Sequence, residues 1–468
     1  MLNIICREVL SMESYDVVVV GSGTSGQTAA FDLNEKGLRV AVVEKSERPG
    51  GTCALAGCQP KKWFYEAAEA IAKSRHLEGK GIVAAPEGNW SQVLEQKRQF
   101  TAGIPEGTIK NLQEAGIDFV SGTASFLDNK TLSVNGQRIQ AKFFVVATGA
   151  KPMRLPIKGI EHVVTSDDFL ELNVLAPSIL FIGGGFISFE FAHFAARLGS
   201  INQRSVILEV GDRPLGTFDS EMVELLVEAS KHEGIDVRTG IDIEVIEKHA
   251  KGFSVRTANG GSFETDLVVH GAGRAPDLDT LELDAAGVEY SKRGITVDQT
   301  LRTSNRRIFA VGDCAATIQL ARVADNEAHV AAENILAELD RGRKVTMDYR
   351  AVPAVLFTYP QYGMVGQTEA ALKQAGQIYQ KSFAKNLSWP TYKRVGLKDA
   401  AYKILTNTKN QILGAHILSD HAAGMINTIK QAMLLETTVE ELYQQTIVSP
   451  YPTRESDLGY MLKPLLTD

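Results

Sequence analysis

The 468-residue sequence predicts an α/β fold: two Rossmann-like units in one chain, with a separate C-terminal α+β domain. Three observations predict it. An apolar strand near the N-terminus runs into a glycine-rich turn and then a helix, and the same pattern recurs after residue 178. Beyond about residue 345 the glycine fingerprints stop and antiparallel-looking runs begin. Length agrees, since a single hydrophobic core rarely serves more than ~250–300 residues.

In the first unit, Tyr15–Val20 reads as a buried parallel strand leading into Gly21-Ser22-Gly23-Thr24-Ser25-Gly26. Gly21 permits the tight turn, Gly23 lets backbone approach a pyrophosphate, and Gly26 lets helix and strand pack closely; the helix N-terminus adds partial positive charge. A second strand, Arg39–Val43, delivers Glu44, placed to accept the ribose hydroxyls of an adenosine. Phe143–Val146 is a further strand, ending in Ala147-Thr148-Gly149.

The second unit begins with Ser178–Ile182 and the turn Gly183-Gly184-Gly185, with Ser188 in the third glycine position and Glu190 on the following helix. Glu209 follows the strand Val206–Leu208. An acid there favours two free ribose hydroxyls over a 2′-phosphate, hence NADH over NADPH, although Arg204 and Arg213 flank it. Two nucleotide sites imply two nucleotides, most economically one flavin and one nicotinamide. Val268–Arg274, containing Gly273, and Ile308–Asp313 repeat the theme of an apolar strand ending in glycine or a carboxylate. Ala401–Leu405 and Gln411–Ile417 belong to the C-terminal domain.

Composition narrows the function. With 44% hydrophobic and 22% charged residues the chain can bury a large core. Its formal net charge of −7 lacks the basic excess of a nucleic-acid binder, so no nucleic-acid partner is expected. No run approaches the roughly 20 apolar residues of a membrane span, and the opening segment lacks an h-region and cleavage site, so no membrane partner and a cytoplasmic location are expected. Residues before Met12 read as a loose tail or an alternative-start extension. Four cysteines, Cys6, Cys53, Cys58 and Cys314, are too few for a secreted disulfide framework. Cys6 reads as a tail residue and Cys314 as packing.

Cys53 and Cys58 lie in Gly50-Gly51-Thr52-Cys53-Ala54-Leu55-Ala56-Gly57-Cys58-Gln59-Pro60-Lys61-Lys62, which runs into a helical pattern. Residues five apart on one ideal helix point about 140° apart, so a disulfide requires Cys53 in an irregular entry to that helix. Cys58 near the helix N-terminus, with Lys61 and Lys62 close by, should have a depressed thiol pKa. Two buried free cysteines are the alternative reading.

These residues together resemble the pyridine nucleotide-disulfide oxidoreductases, the family of glutathione reductase, lipoamide dehydrogenase and mercuric reductase. The resemblance runs from Tyr15 to about Leu466. Its motifs are Gly21/Gly23/Gly26 with Glu44, the Gly-Gly-Thr-Cys-x4-Cys-x-Pro segment with Gly51 and Thr52, Ala147-Thr148-Gly149, Gly183-x-Gly185 with Glu190, Gly273-Arg274-x-Pro276, Ala310-x-Gly312-Asp313, and Phe357-Thr358-Tyr359-Pro360 before Val365-Gly366-x-Thr368-Glu369. It implies FAD held by the first repeat and Asp313, NAD(P)H held by the second, and a C-terminal domain that forms a homodimer. The implied boundaries are 1–155 and 275–345 for FAD, 156–274 for NAD(P)H and 346–468 for dimerisation. It further implies that Cys58 faces the flavin while Cys53 is the interchange thiol, and that Lys62, or Lys61, stands beside flavin N5, paired with Glu190. No resident metal site is expected.

One position departs from the pattern. The family carries a C-terminal His-Pro-Thr segment, with a glutamate five positions after the histidine, that reaches across the dimer to the interchange thiol. Here the matching segment is Ser449-Pro450-Tyr451-Pro452-Thr453-Arg454-Glu455-Ser456-Asp457, so Tyr451 replaces the histidine and Ser456 the glutamate. The last histidine in the sequence is His421, so nothing downstream substitutes for it. A phenol, with an ordinary pKa of about 10, is no comparable base near neutrality, and losing a positioned acid-base group costs on the order of 10²- to 10⁴-fold in rate. Mercuric reductases are similar in having tyrosine there. Yet the C-terminal cysteine pair and N-terminal CxxC module of that enzyme have no match here, so a dedicated mercuric reductase is not expected.

The expected function is an FAD enzyme passing electrons from NADH, or NADPH, through the Cys53–Cys58 disulfide to a small oxidant such as a soft metal ion or quinone. The alternatives are an unusual disulfide reductase using Tyr451 as hydrogen-bond donor, and a redox-responsive regulatory flavoprotein. Tyr359, Tyr362, Trp389 and Tyr392 read as packing, and His416 and His421 carry no assigned role.

Overall fold

Four consecutive buried valines, Val17–Val20, end the first strand, β1 (Glu13–Val20). Such a run suits a strand covered on both faces. The computed structural model describes residues 13–200 and 202–466; Cys6 and the segment up to Met12 lie outside them. β1 pairs in parallel with β2 (Val40–Glu44) and with the strand Gln137–Val146, and Asp118–Ser121 extends the sheet beyond β2. The strand Gln137–Val146 changes partner along its length. Its first residues pair antiparallel with Thr131–Val134, and its last three pair in parallel with Ile308–Ala310. Parallel register therefore brings the carboxyl ends of three strands together, delivering the Gly21 turn, Ala147-Thr148-Gly149 and Gly312-Asp313 to one edge. In open parallel sheets that edge is where ligands bind.

Residues 13–61, 97–153 and 274–348 form one compact unit around this seven-stranded sheet. Helix α1 (Thr24–Glu35) faces the helix Ala321–Glu338 within it: Thr24 bonds Asp325, and His329 Nδ1 lies 2.5 Å from Asp32.

Residues 62–96, 154–273 and 349–466 form the second unit. It contains the second repeat as a four-stranded parallel sheet ordered Ile235–Arg238, Arg204–Leu208, Ser178–Ile182, Leu267–His270. A small antiparallel sheet, Ile243–His249, Gly252–Thr257 and Ser262–Thr265, joins it. The C-terminal region supplies a five-stranded sheet that is antiparallel throughout. The predicted α/β fold with a C-terminal α+β domain is therefore observed. Tyr359, Tyr362 and Tyr392 are buried and Trp389 packs on Tyr392 and Tyr402, so these aromatics are core.

Lys403 is the exception to apolar packing in this unit. Its strand, Ala401–Thr406, is buried throughout, and the lysine itself is only 1% exposed. Its ammonium bonds Asp219 at 2.7 Å, Glu221 at 2.8 Å and Glu369 at 2.9 Å, and it pairs in register with His416. Burial alone would raise the Glu369 carboxyl, but hydrogen bonds from Lys403, Lys373 and Tyr379 outweigh it and hold the group well below its ordinary value. Asp219, with Lys403 as its strongest partner, is likewise held low against burial. Burial works against the charged Lys403 too, and its carboxylate partners raise its pKa nonetheless.

Candidate active site

The first glycine turn is shaped by close approach. A Cβ on Gly21, whose φ is +111°, would lie 2.3 Å from the Ala147 carbonyl oxygen, and one on Gly26 would lie 2.0 Å from the Gly21 oxygen. Glu44 caps the turn: it accepts from Ser22 N at 2.8 Å, Ser22 Oγ at 2.7 Å and Ser46 N at 2.7 Å. The second turn repeats this arrangement, with Glu209 accepting from Gly184 N at 2.6 Å and Gly211 N at 2.7 Å. In both repeats the N-cap is an extended glycine, Gly23 or Gly185, and no side chain caps the helix. The leading N–H groups are thus left to an anion, which fits the pyrophosphate of a dinucleotide.

Ser188 in the third glycine position of the second repeat is accommodated by its neighbour. A Cβ on Gly271 would lie 2.0 Å from Ser188 Oγ, so the missing glycine of the turn is compensated across the sheet. Thr148, Gly149 and Asp313 lie in the first unit with the first turn, whereas Gly273 belongs to the second unit. Burial raises the Asp313 carboxyl, opposed by Arg274, whose Nη2 donates to Ala150 O at 2.7 Å and Thr52 Oγ1 at 3.4 Å.

The cysteines occupy two separate helices. Cys53 lies in the five-residue α2 (Gly51–Leu55), Cys58 opens α3 (Cys58–Leu77), and the chain breaks between them at Ala56-Gly57. The entry is anchored at Gly51, where a Cβ would lie 2.4 Å from the Gly23 Cα. This is the irregular entry that the spacing demanded. The two sulfurs lie in hydrogen-bonding reach of each other. Cys58 is exposed and Cys53 half-buried. The hydrogen bond from Cys53, aided by Lys61, brings the Cys58 pKa down to about 7 against the effect of burial. The same bond, then burial, pushes Cys53 far above the ordinary thiol range. Cys314 is a packing residue: it is buried, its Sγ–H meets the Val146 and Val311 carbonyls, and burial raises it to about 11.

The two adjacent lysines separate by role. Lys61 acts electrostatically on Cys58, whereas the Lys62 Nζ sits in the second unit over the Phe357 ring at 3.2 Å and the Tyr65 ring at 4.0 Å. Buried Glu190 accepts from Phe357 N at 3.0 Å. Lys62 and Glu190 thus converge on one aromatic residue, the first of the Phe-Thr-Tyr-Pro motif.

In the C-terminal segment Tyr451 is 72% exposed. Ser456 donates to Thr453 O at 2.7 Å and Asp457 accepts from Thr391 Oγ1 at 2.5 Å, so both are engaged locally. Glu455 is different. It meets His421 Nε2 at 2.8 Å, a pairing that sequence spacing does not announce because thirty-four positions separate the two residues. The available signal was charge complementarity, Asp420-His421 facing Arg454-Glu455: Arg454 Nε and Nη2 bond Asp420 at 2.7 and 3.0 Å.

Comparison with known proteins is consistent along most of the chain. A family model described as pyridine nucleotide-disulphide oxidoreductase matches residues 15–328, and that family's dimerisation domain matches residues 352–459. A mercuric reductase from Staphylococcus aureus is 32% identical, over 95% of this chain and 81% of the relative. A glutathione reductase from Burkholderia cepacia is also 32% identical, over 91% and 93%. The solved structure of the Cu(II) complex of HOCl-induced flavoprotein disulfide reductase RclA from Escherichia coli superposes with a TM-score of 0.86 at 26% identity, covering 97% of this chain and all of that one. Among the described residues no helix is long and apolar enough to cross a membrane.

Proposed function

Because the chain belongs to the pyridine nucleotide-disulfide oxidoreductases, FAD-dependent enzymes with NAD(P)H as electron donor, we propose that it passes electrons to a thiophilic metal ion, with Cu(II) the leading candidate, or to a quinone. The observation that carries this reading is the placement of the thiol pair, with Cys53 in the short α2 and Cys58 at the start of α3 beside Lys61, which favours a thiolate at Cys58. The Cu(II) complex of the structurally similar RclA supports the choice of metal, and the exposed Tyr451, where the family histidine is expected, favours an acceptor needing little proton transfer.

Bound FAD supplies hydride acceptance from NAD(P)H and two-electron transfer to the cysteine pair. Gly21, Gly23, Gly26, Glu44, Thr148, Gly149 and Asp313 would hold it; Gly183, Gly185 and Glu209 would hold the nicotinamide nucleotide. Lys62 and Glu190 are assigned the flavin-side role that the family resemblance implies for them. Cys58, whose thiolate is favoured by the Cys53 hydrogen bond and Lys61, keeps Cys53 protonated by accepting its hydrogen bond. With Cu(II) the balance is one dithiol and two Cu(II) giving one disulfide, two Cu(I) and two protons. A quinone instead takes both electrons and both protons to become the hydroquinone. The match to the family's dimerisation domain supports a homodimer as the working form.

Anaerobic titration with NADH tests this. NADH should generate two additional titratable thiols and a long-wavelength absorbance band, and Cu(II) added afterwards should yield two Cu(I) per dithiol, trapped by a chelating dye. Flavin reduction with no change in thiol count overturns the reading.

Glu209 also sets an expectation for the donor. Arg213 is engaged by the Gly216 and Phe218 carbonyl oxygens at 2.5 and 3.1 Å, which leaves the carboxylate dominant at the strand end. NADH should exceed NADPH in kcat/KM by on the order of tenfold, about 1.4 kcal/mol. Glu209→Ala should narrow that ratio; an unchanged ratio counts against the assignment.

A further inference from the structure

We propose that the second unit carries a binding site for a small organic anion, an apolar or aromatic body bearing one carboxylate or sulfonate, in a cavity between its parallel sheet and its small antiparallel sheet.

The cavity arises because the two sheets cover each other only in part. Leu180, Ile182, Leu208 and Val268 of the parallel sheet share a core with Phe253 and Val255 of the antiparallel one. The antiparallel sheet makes its main approach to the strands Ser178–Ile182 and Leu267–His270. Toward the edge strand Ile235–Arg238 the cover gives out, and a cavity of about 510 Å³ opens. Small-molecule sites commonly enclose roughly 300–1,000 Å³.

Its floor is apolar. Leu180, Val206, Ile241 and Phe263 line it, and the last three are only half-buried, so apolar surface is left for a ligand to cover. Its charge is basic. Arg204 lies two residues before Val206 on one strand and so shares its face, and Arg238 lines the cavity from the edge strand. Arg238 is already engaged: its Nε donates to Asp236 at 2.8 Å and its guanidinium lies 5.2 Å from the centre of the Phe263 ring. Arg204 has no ion pair among the described residues. The one carboxylate in the lining, Glu264, alternates with Phe263 along Ser262–Thr265 and is exposed, which puts it at the rim and not on the floor. Asn259 adds a donor. Its Oδ1 accepts from Thr257 Oγ1 at 2.6 Å and Gly261 N at 3.3 Å, which leaves the Nδ2 group for a ligand.

The site is built on a fixed frame and stands apart from the second glycine turn. Glu209 N donates to Arg238 O at 2.8 Å, and Ile241 N donates to Glu209 O at 2.9 Å, so the wall is held by main-chain bonds before any ligand arrives. Gly183, Gly185 and Glu209 themselves do not line the cavity. Arg204 flanks Glu209 in the sequence, but it opens the strand that Glu209 follows, which separates the two by about 16 Å. Its charge therefore faces the cavity and is remote from the ribose position.

The test uses the FAD-loaded dimer with NAD⁺ at saturation, so that both nucleotide sites are filled. The probe is anilinonaphthalene sulfonate, an aryl sulfonate whose fluorescence rises when it leaves water. One probe per chain should bind. Arg204→Gln should weaken binding on the order of tenfold, the scale of one charge-assisted hydrogen bond, while Arg204→Lys, which keeps the charge, should lose clearly less. Val206→Trp should fill the floor and weaken binding more than tenfold with FAD content unchanged; where that variant does not retain FAD, the two Arg204 variants decide alone. Binding abolished by NAD⁺ puts the probe at the nucleotide turn and overturns the proposal. Absence of saturable binding overturns it, as does parental affinity in Arg204→Gln or in an FAD-loaded Val206→Trp. Equal weakening by Gln and Lys at position 204 shows a structural role for the arginine and overturns the assignment to an anion.

Discussion

Serine at position 58 is expected to lower acceptor reduction by on the order of 10³-fold or more, while NADH still reduces bound flavin. The loss follows from the polarisation of the pair. The Cys53–Cys58 hydrogen bond and Lys61 together hold the Cys58 pKa at about 7, and Cys53 retains its proton well into alkaline solution. One thiolate is thus available near neutrality and two are not. Raising the pH through about 7 should increase the alkylation rate of Cys58 to a plateau, while Cys53 lags behind, as peptide mapping after brief iodoacetamide exposure would measure. Lys61→Ala should move that midpoint upward by removing a favourable charge. Equal modification of both cysteines, with a shared midpoint near the ordinary thiol value of about 8.5, contradicts the assignment.

What could be read from the sequence was local. Each glycine turn, with its strand and its terminal glutamate, lies within some thirty residues, so Gly21 to Glu44 and Gly183 to Glu209 announce their geometry through spacing alone. The break separating Cys53 from Cys58 was legible for the same reason: five residues on one helix do not bring two thiols together. Relations between distant segments were not. Ser188 looked like a flaw in the second turn, because the glycine that compensates it is Gly271, just past the end of the strand Leu267–His270. His421 was passed over, since its carboxylate lies thirty-four positions later and depends on the Asp420–Arg454 clasp to be brought near. Lys403 was read only as part of an antiparallel strand. Its charge is buried because three carboxylates from other elements converge on it, and no local pattern encodes that convergence.

That cluster carries the largest expected stability effect. Lys403→Met should destabilise the second unit by about 3–5 kcal/mol, the cost of leaving buried charge without its partner. Asp219 and Glu369 would remain, with side chains 1% and 11% exposed, and their nearest ammonium gone. The three tryptophans, Trp63, Trp90 and Trp389, all lie in that unit, so their fluorescence during urea unfolding reports it selectively. The pH dependence has a definite sign. Both carboxyls are depressed in the folded chain, so their contribution is present above the unfolded value of about 4 and lost as pH falls below it. Lys403 is raised, so its contribution is present below about 10 and lost as pH rises beyond the folded value. In the variant Asp219 loses its ammonium partner and Glu369 keeps only Lys373 and Lys381, so both carboxyls take up protons more readily. The gap between parent and variant should therefore be widest near neutrality and narrow as pH falls toward 4. Lys403→Met combined with Asp219→Asn and Glu369→Gln should recover part of the loss, because neutral amides cost less to bury than unpaired carboxylates. A single-variant loss below about 1 kcal/mol, the scale of an exposed ion pair, would show that the cluster is solvated rather than buried.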